Sequence, residues 1–150
     1  MIRFLIASHG YLADGLKSTL EIIVGKEIAE RVSTINAFVD EQSGDAKGNI
    51  ERFIKEIPST DKLIIFSDIM HGSVNQCLMS YVDDERIFLI TGVNFPLLCE
   101  VVAEYSFSDE SEVKKEDLQN AVEKAKEELN FVNNFITTVS SDENEDDFFE

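Results

Sequence analysis

The fold of this chain is decided by a short apolar stretch near its first residue, Phe4-Leu5-Ile6-Ala7-Ser8-His9-Gly10. Four to eight apolar residues closed by a turn residue are typical of a buried strand, which places His9 at the carboxyl end of that strand. In open α/β sheets, ligands bind where the strands end. His9 is therefore the first candidate for a functional residue.

The rest of the chain alternates helical patterns with further apolar runs. Further strands are predicted at 31–39, 62–68 and 86–91. Helices are predicted at 12–24, 74–81 and 116–129. Two more helices are predicted, one that ends at Pro58 and one that begins at Pro96. This alternation predicts an α/β fold with a mostly parallel, doubly wound sheet and helices on both faces. For four strands, the flavodoxin-like order 2-1-3-4 is the most economical arrangement.

The last part of the chain departs from this pattern. Residues 130–139 alternate poorly between apolar and polar side chains, and we interpret them as a final strand. The last ten residues, 141–150, contain six acidic and no basic side chains, and such a charge run is expected to be disordered. We therefore predict one domain at residues 1–140, followed by an acidic tail at residues 141–150.

The amino-acid composition of the chain excludes some classes of binding partner. The 150 residues carry a formal net charge of −17, so their surface repels nucleic-acid backbones and anionic lipid headgroups. The two cysteines are not in CxxC spacing, and the chain begins without the apolar segment of a signal peptide. We expect a cytoplasmic protein that binds no nucleic acid and does not insert into membranes.

The predicted strand order brings two polar side chains together. In the order 2-1-3-4 the first and third strands are neighbours, so His9 and Asp68 meet at the crevice where the crossover connections diverge. A carboxylate that accepts the proton of one imidazole nitrogen leaves the lone pair of the other nitrogen exposed. It also stabilises the positive charge that develops when the ring attacks a substrate. The pair therefore predicts a nucleophilic histidine.

The loop after Asp68 adds groups that suit a phosphate. A glycine-containing turn that leads into a helix presents backbone amides and a hydroxyl to an anion. Gly72 permits close approach of the backbone, and Ser73 contributes the hydroxyl. Taken singly, His9 could be a hydrogen-bonded core or turn residue, and Asp68 and Ser73 could be helix caps. Their predicted convergence indicates a histidine that accepts and donates a phosphoryl group.

Three stretches carry a resemblance to a known family: the opening run with its Ser-His-Gly ending, Phe66-Ser67-Asp68-Ile69-Met70-His71-Gly72-Ser73-Val74-Asn75, and Thr91-Gly92-Val93-Asn94-Phe95-Pro96-Leu97-Leu98. In this order and spacing they resemble the enzyme IIA domain of the mannose-type (mannose, fructose, sorbose) phosphoenolpyruvate-dependent sugar phosphotransferase system. The resemblance covers about residues 1 to 135.

The resemblance implies a role for the chain in phosphoryl transfer. His9 would accept phosphate from the histidine phosphocarrier protein and pass it to a IIB subunit during sugar uptake, without a cofactor. Asp68 would orient His9, and Gly72 and Ser73 would hold the phosphate. The family also implies a homodimer that exchanges a C-terminal strand, here residues 130–139. Since no IIB domain follows, the acceptor is expected on a separate chain.

One position departs from the family. Many members carry two glycines where this chain has His71 and Gly72. We place His71, together with Gly10, at the rim of the site, and we favour a rim position for His71 without a catalytic role.

Two other classes of function stay open at this stage. A metal-dependent hydrolase could use His9, Asp68 and His71 as zinc ligands. A non-catalytic regulatory binding module would apply if His9 were unreactive. A two-component receiver shares the predicted topology, but it needs an acidic magnesium pocket where this chain has Ser8 and His9.

Overall fold

The computed structural model of the protein describes residues 1–42 and 44–134. A four-stranded parallel sheet in the order β2-β1-β3-β4 forms its centre. The strands are β1 (Ile2–His9), β2 (Val32–Ala37), β3 (Lys62–Ser67) and β4 (Ile87–Ile90). The predicted strand order is confirmed, and β1 and β3 are the inner pair.

Helices cover both faces of the sheet, as predicted. They are α1 (Leu12–Val24), α2 (Lys26–Ala29), α3 (Ala46–Lys55), α4 (Ser73–Met79), α5 (Phe95–Tyr105) and α6 (Lys115–Lys126), with a 3₁₀ turn at Glu110–Glu112. One apolar cluster contains side chains of α1, α5 and α6, and a second, on the other face, contains side chains of α3 and α4. Among the described residues, no helix is long and apolar enough to span a bilayer.

The opening run is continuous rather than alternating because both of its faces are buried. Phe4 and Ile6 join the first cluster, whereas Leu5 and Ala7 join the second. All four side chains are fully buried. A strand between two helical layers has no face for polar residues until it reaches the edge of the sheet. His9 stands at that edge, where β1 ends.

The segments that the sequence did not predict are short. Helix α2 has four residues and the 3₁₀ turn has three, which is less than the length over which an apolar period can be recognised. Both lie in connections at the opposite end of the sheet from His9. They leave the predicted order of the main elements unchanged.

The predicted strand at residues 130–139 is described only as far as residue 134, and that part is not extended. The amide of Asn134 donates to the carbonyl of Phe131 at 3.0 Å, and residues 132–134 are helical. The prediction was wrong for this part because apolar side chains spaced three or four apart also suit a helical turn. Residues 135–139 and the acidic tail 141–150 lie outside the described residues.

The start of α5 explains part of the third sequence motif. The Asn94 side-chain oxygen accepts a hydrogen bond from the Leu97 amide at 3.0 Å and so caps the helix. The Asn94 side-chain nitrogen donates to the carbonyl of Ala125 at 2.9 Å, in the last turn of α6. One residue therefore caps one helix and ties a second helix to it.

Replacing Asn94 should separate these two contributions. Asn94→Ala loses the cap and the bond to α6, and should lower the free energy of unfolding by about 2 kcal/mol. Asn94→Asp keeps a capping oxygen and loses only the donor to Ala125, so its loss should be about half as large. Urea unfolding followed by circular dichroism measures both. Equal losses in the two variants would contradict the double role.

Candidate active site

The centre of the site is formed by residues at the ends of the two inner strands. His9 is the last residue of β1, and Asp68 directly follows β3. A single oxygen of Asp68, Oδ2, accepts a hydrogen bond from the backbone amide of His9 at 2.8 Å and lies 2.8 Å from its Nδ1. The structure thus brings together the two side chains that the strand order was predicted to place side by side.

These contacts determine which imidazole nitrogen carries the proton. Burial by itself raises the pKa of the Asp68 carboxyl. The hydrogen bonds from the amide and the ring of His9, with a further bond from the Ile69 amide, outweigh this effect of burial, so the pKa is lowered. Asp68 is therefore ionised at neutral pH and can only accept. Nδ1 of His9 consequently donates its proton to Asp68, and the lone pair lies on Nε2.

The hydroxyl of Ser73 faces that lone pair. Its Oγ lies 3.1 Å from Nε2 of His9, and with the proton on Nδ1 it is the hydroxyl that donates. Ser73 is the first residue of α4 and is exposed. The side chain of His9 is 39% exposed.

Gly72 lets the loop approach the imidazole. A Cβ atom at this position would lie 3.1 Å from Cε1 of His9 and 2.7 Å from Cγ2 of Ile69, so a larger residue would displace one of them. Gly72 is also the N-cap of α4 and has no side chain to cap it, while first-turn amides have no acceptor within their helix. Its own amide already donates to the carbonyl of Ile69 at 3.2 Å. Its contribution is space rather than a free donor.

The two residues predicted to lie at the rim, Gly10 and His71, both have left-handed backbones. Gly10 has a φ of 57°, and its amide donates to the Ala37 carbonyl at 2.8 Å, which holds the turn against β2. His71 has a φ of 65° and is exposed, and its carbonyl accepts from the side chain of Gln76 at 3.1 Å. Within residues 1–42 and 44–134, no three or more His, Cys, Asp or Glu side chains are grouped as metal ligands would be.

Two buried serines connect the strand ends of the site to the helices that follow them. Ser8 precedes His9, and its Oγ accepts a hydrogen bond from the amide of Ala13 at 2.8 Å, near the start of α1. Ser67 precedes Asp68, and its Oγ donates to Asn75 at 2.8 Å, in α4. Each strand therefore anchors the helix that follows it. The Ser-His and Ser-Asp pairs in the sequence were a signal for this role.

The sequence analysis missed one residue of the site. The ring of Phe38, which follows β2, stacks on the imidazole of His9, with a distance of 5.5 Å between the ring centroids and an angle of 22° between the planes. Phe38 is one of 11 phenylalanines and has no polar neighbour that marks it as part of a motif. Only the folded arrangement of β2 beside β1 reveals this contact.

Comparisons with known proteins identify the family of the chain. A family model described as EIIA-man, PTS system fructose IIA component, matches residues 3–119. A fructose-specific EIIA component of the PTS from Bacillus subtilis (strain 168) is 27% identical over 104 residues, which are 69% of this chain and 70% of that protein.

Two crystal structures are also similar. A proposed phosphoenolpyruvate-dependent sugar phosphotransferase system permease from Klebsiella pneumoniae is 30% identical, with a TM-score of 0.79 over 90% of this chain and 93% of that one. A PTS IIA protein associated with the fucose utilization operon of Streptococcus pneumoniae is 26% identical, with a TM-score of 0.74 over 90% and 96% of the two chains.

The lowered pKa of Asp68 should make its contribution to stability depend on pH. Because the folded state binds the proton less readily than the unfolded chain, the carboxylate stabilises the fold at neutral pH, and this contribution is lost as the pH falls through the lowered pKa. The difference in free energy of unfolding between wild type and Asp68→Asn should therefore be largest above about pH 5 and should shrink below about pH 4. Urea unfolding at several pH values measures it, and a constant difference would contradict the assignment.

Proposed function

The chain belongs to the mannose-type EIIA family and is a sugar phosphotransferase component, and on that premise we propose that His9 is the residue that carries the phosphoryl group. One observation supports this assignment above the others. Asp68 occupies Nδ1 of His9, while Nε2 points to the exposed hydroxyl of Ser73. A nucleophile needs an unprotonated nitrogen, a group that stabilises its developing charge and access to the donor, and His9 meets all three requirements.

The proposed transfer is a displacement at phosphorus. The lone pair on Nε2 of His9 attacks the phosphohistidine of the phosphocarrier protein. A bond from phosphorus to Nε2 forms while the bond to the donor nitrogen breaks, and its electron pair returns to the donor ring. The imidazole of His9 then bears a positive charge, which the carboxylate of Asp68 stabilises through Nδ1. Transfer to a IIB subunit on a separate chain reverses these changes at His9.

The loop after Asp68 would receive the phosphoryl oxygens. Once Nε2 carries phosphorus, the hydroxyl of Ser73 is released from the ring and can donate to a phosphoryl oxygen instead. The amides in the first turn of α4 supply further donors, because Gly72 leaves that turn without a side-chain cap. Positioned donors of this kind are most of what a phosphoryl transition state requires.

The surroundings of His9 suit transfer between two proteins. Large apolar side chains are exposed in the segments that follow β1, β2 and β3, namely Tyr11, Phe38, Ile69 and Met70. Exposed apolar groups beside a reactive nitrogen can be covered by a partner, which also excludes water during transfer. The net charge of −17 would favour a phosphocarrier that presents basic groups. The proposal places the protein in the cytoplasm and needs no cofactor.

The remaining expectations belong to the same proposal. The phosphotransfer domain spans residues 1–140, and residues 141–150 form an acidic tail. Two copies form a homodimer by exchanging a C-terminal segment. An equilibrium sedimentation mass near that of a single chain would contradict the dimer.

Phosphate incorporation tests the central assignment. With enzyme I, the phosphocarrier protein and labelled phosphoenolpyruvate, wild type should take up label that is labile to acid and stable to base. His9→Ala should take up none, because no other side chain combines a free imidazole lone pair with a carboxylate partner in the described residues. His71→Ala should retain the label, since His71 is placed at the rim.

The outcomes separate the alternatives. Label that persists in His9→Ala and disappears in His71→Ala would move the phosphorylated position to the rim. An unlabelled wild type with cognate donor proteins would contradict the proposed function and favour a regulatory binding module. Circular dichroism of both variants checks that loss of label does not reflect unfolding.

A further inference from the structure

Three groups surround the imidazole of His9, and the functional account above uses only two of them. Asp68 and Ser73 contact the two ring nitrogens, at 2.8 Å and 3.1 Å. Phe38 instead covers one face of the ring, with centroids 5.5 Å apart and planes inclined by 22°. Hydrogen bonds at the two nitrogens leave the ring free to rock about the line that joins them. A side chain packed on the face opposes that motion.

The backbone at Phe38 is held in an unusual conformation. Its φ is 64°, in the left-handed region that bulky side chains rarely adopt and glycine adopts freely. Burial does not account for this choice, because the side chain is 51% exposed. A strained position that persists at a reactive site is an observation from which a functional role can be inferred.

We propose that Phe38 is a positioning residue for His9, which holds the imidazole plane in line with its phosphoryl donor and stabilises the ring when it becomes cationic. This inference rests on the proposed function of His9. When an imidazole is phosphorylated on Nε2 and keeps its proton on Nδ1, its ring carries a positive charge, and the face of an aromatic ring attracts positive charge within about 6 Å. The measured centroid distance of 5.5 Å lies within that range.

The competing explanation is that the exposed part of Phe38 only contacts the partner protein. A small phosphoryl donor separates the two roles, because phosphoramidate needs no protein interface. In that reaction the lone pair on Nε2 bonds to phosphorus while the P–N bond of phosphoramidate breaks. Ammonia leaves with the electron pair and takes a proton from solvent.

The test compares three variants at position 38 with one control. Phe38→Leu keeps an apolar side chain but loses the ring, Phe38→Tyr keeps the ring, and Phe38→Gly loses the ring and relieves the backbone. Phe107→Leu is the matched control, because Phe107 is also an exposed phenylalanine with one ring contact. That contact, to the Arg31 guanidinium at 5.4 Å from the ring centroid, lies at the opposite end of the sheet.

The proposal predicts the same pattern with both donors. Phe38→Leu and Phe38→Gly should be phosphorylated about 2- to 10-fold more slowly than wild type by phosphoramidate and by the phosphocarrier protein, the range expected for an aromatic pair. Phe38→Tyr and Phe107→Leu should keep the wild-type rate. Phe38→Gly should melt at or above the wild-type temperature, so that its slower reaction does not reflect a weaker fold.

A spectroscopic measurement checks the stack itself. The ring current of Phe38 should shift the carbon-bound ring protons of His9 upfield of those of His71, and Phe38→Leu should remove that shift. Unchanged His9 signals in Phe38→Leu would overturn the inference, as would slowing with the phosphocarrier protein alone. If the wild-type protein takes up no label, the proposed function and this inference are both overturned. If the wild-type protein is labelled and Phe38→Leu is labelled at the same rate, only this inference is overturned.

Discussion

The two hydrogen bonds between His9 and Asp68 are the interaction on which the rest of the site depends. One oxygen of Asp68 accepts from the backbone amide of His9 and from its ring, each at 2.8 Å. The first bond joins the ends of β1 and β3, and the second assigns the ring proton to Nδ1. Position and protonation are therefore set by the same carboxylate oxygen. In the proposed transfer Nε2 is the nucleophile, because Nδ1 is already engaged.

The parallel sheet makes this contact possible. β1 and β3 are neighbours in space although β2 lies between them in sequence, so the helices that follow them pack on opposite faces. The connections diverge where the two strands end, and His9 lies at that point. Buried hydroxyls of Ser8 and Ser67 bind the first turns of the helices that follow, so these helices are tied to the strand ends beside His9 and Asp68.

The sequence predicted the parts of the site that depend on strand ends, because His9 and Asp68 each close an apolar run and the strand order makes them neighbours. Ser73 was predicted from its place before a helix. Phe38 was missed because its role comes from a contact between adjacent strands and from a left-handed backbone, and neither leaves a periodic signal. Gly72 was predicted to permit close approach of the backbone, and its amide donates to Ile69 in the local turn.

The most direct test of this account is the position of phosphorus on the imidazole, measured by ¹⁵N and ³¹P NMR of the phosphorylated protein with labelled histidine. The account predicts that phosphorus couples to Nε2 of His9 and that Nδ1 keeps its proton, because Asp68 holds that nitrogen. Coupling to Nδ1 of His9, or to either nitrogen of His71, would contradict it.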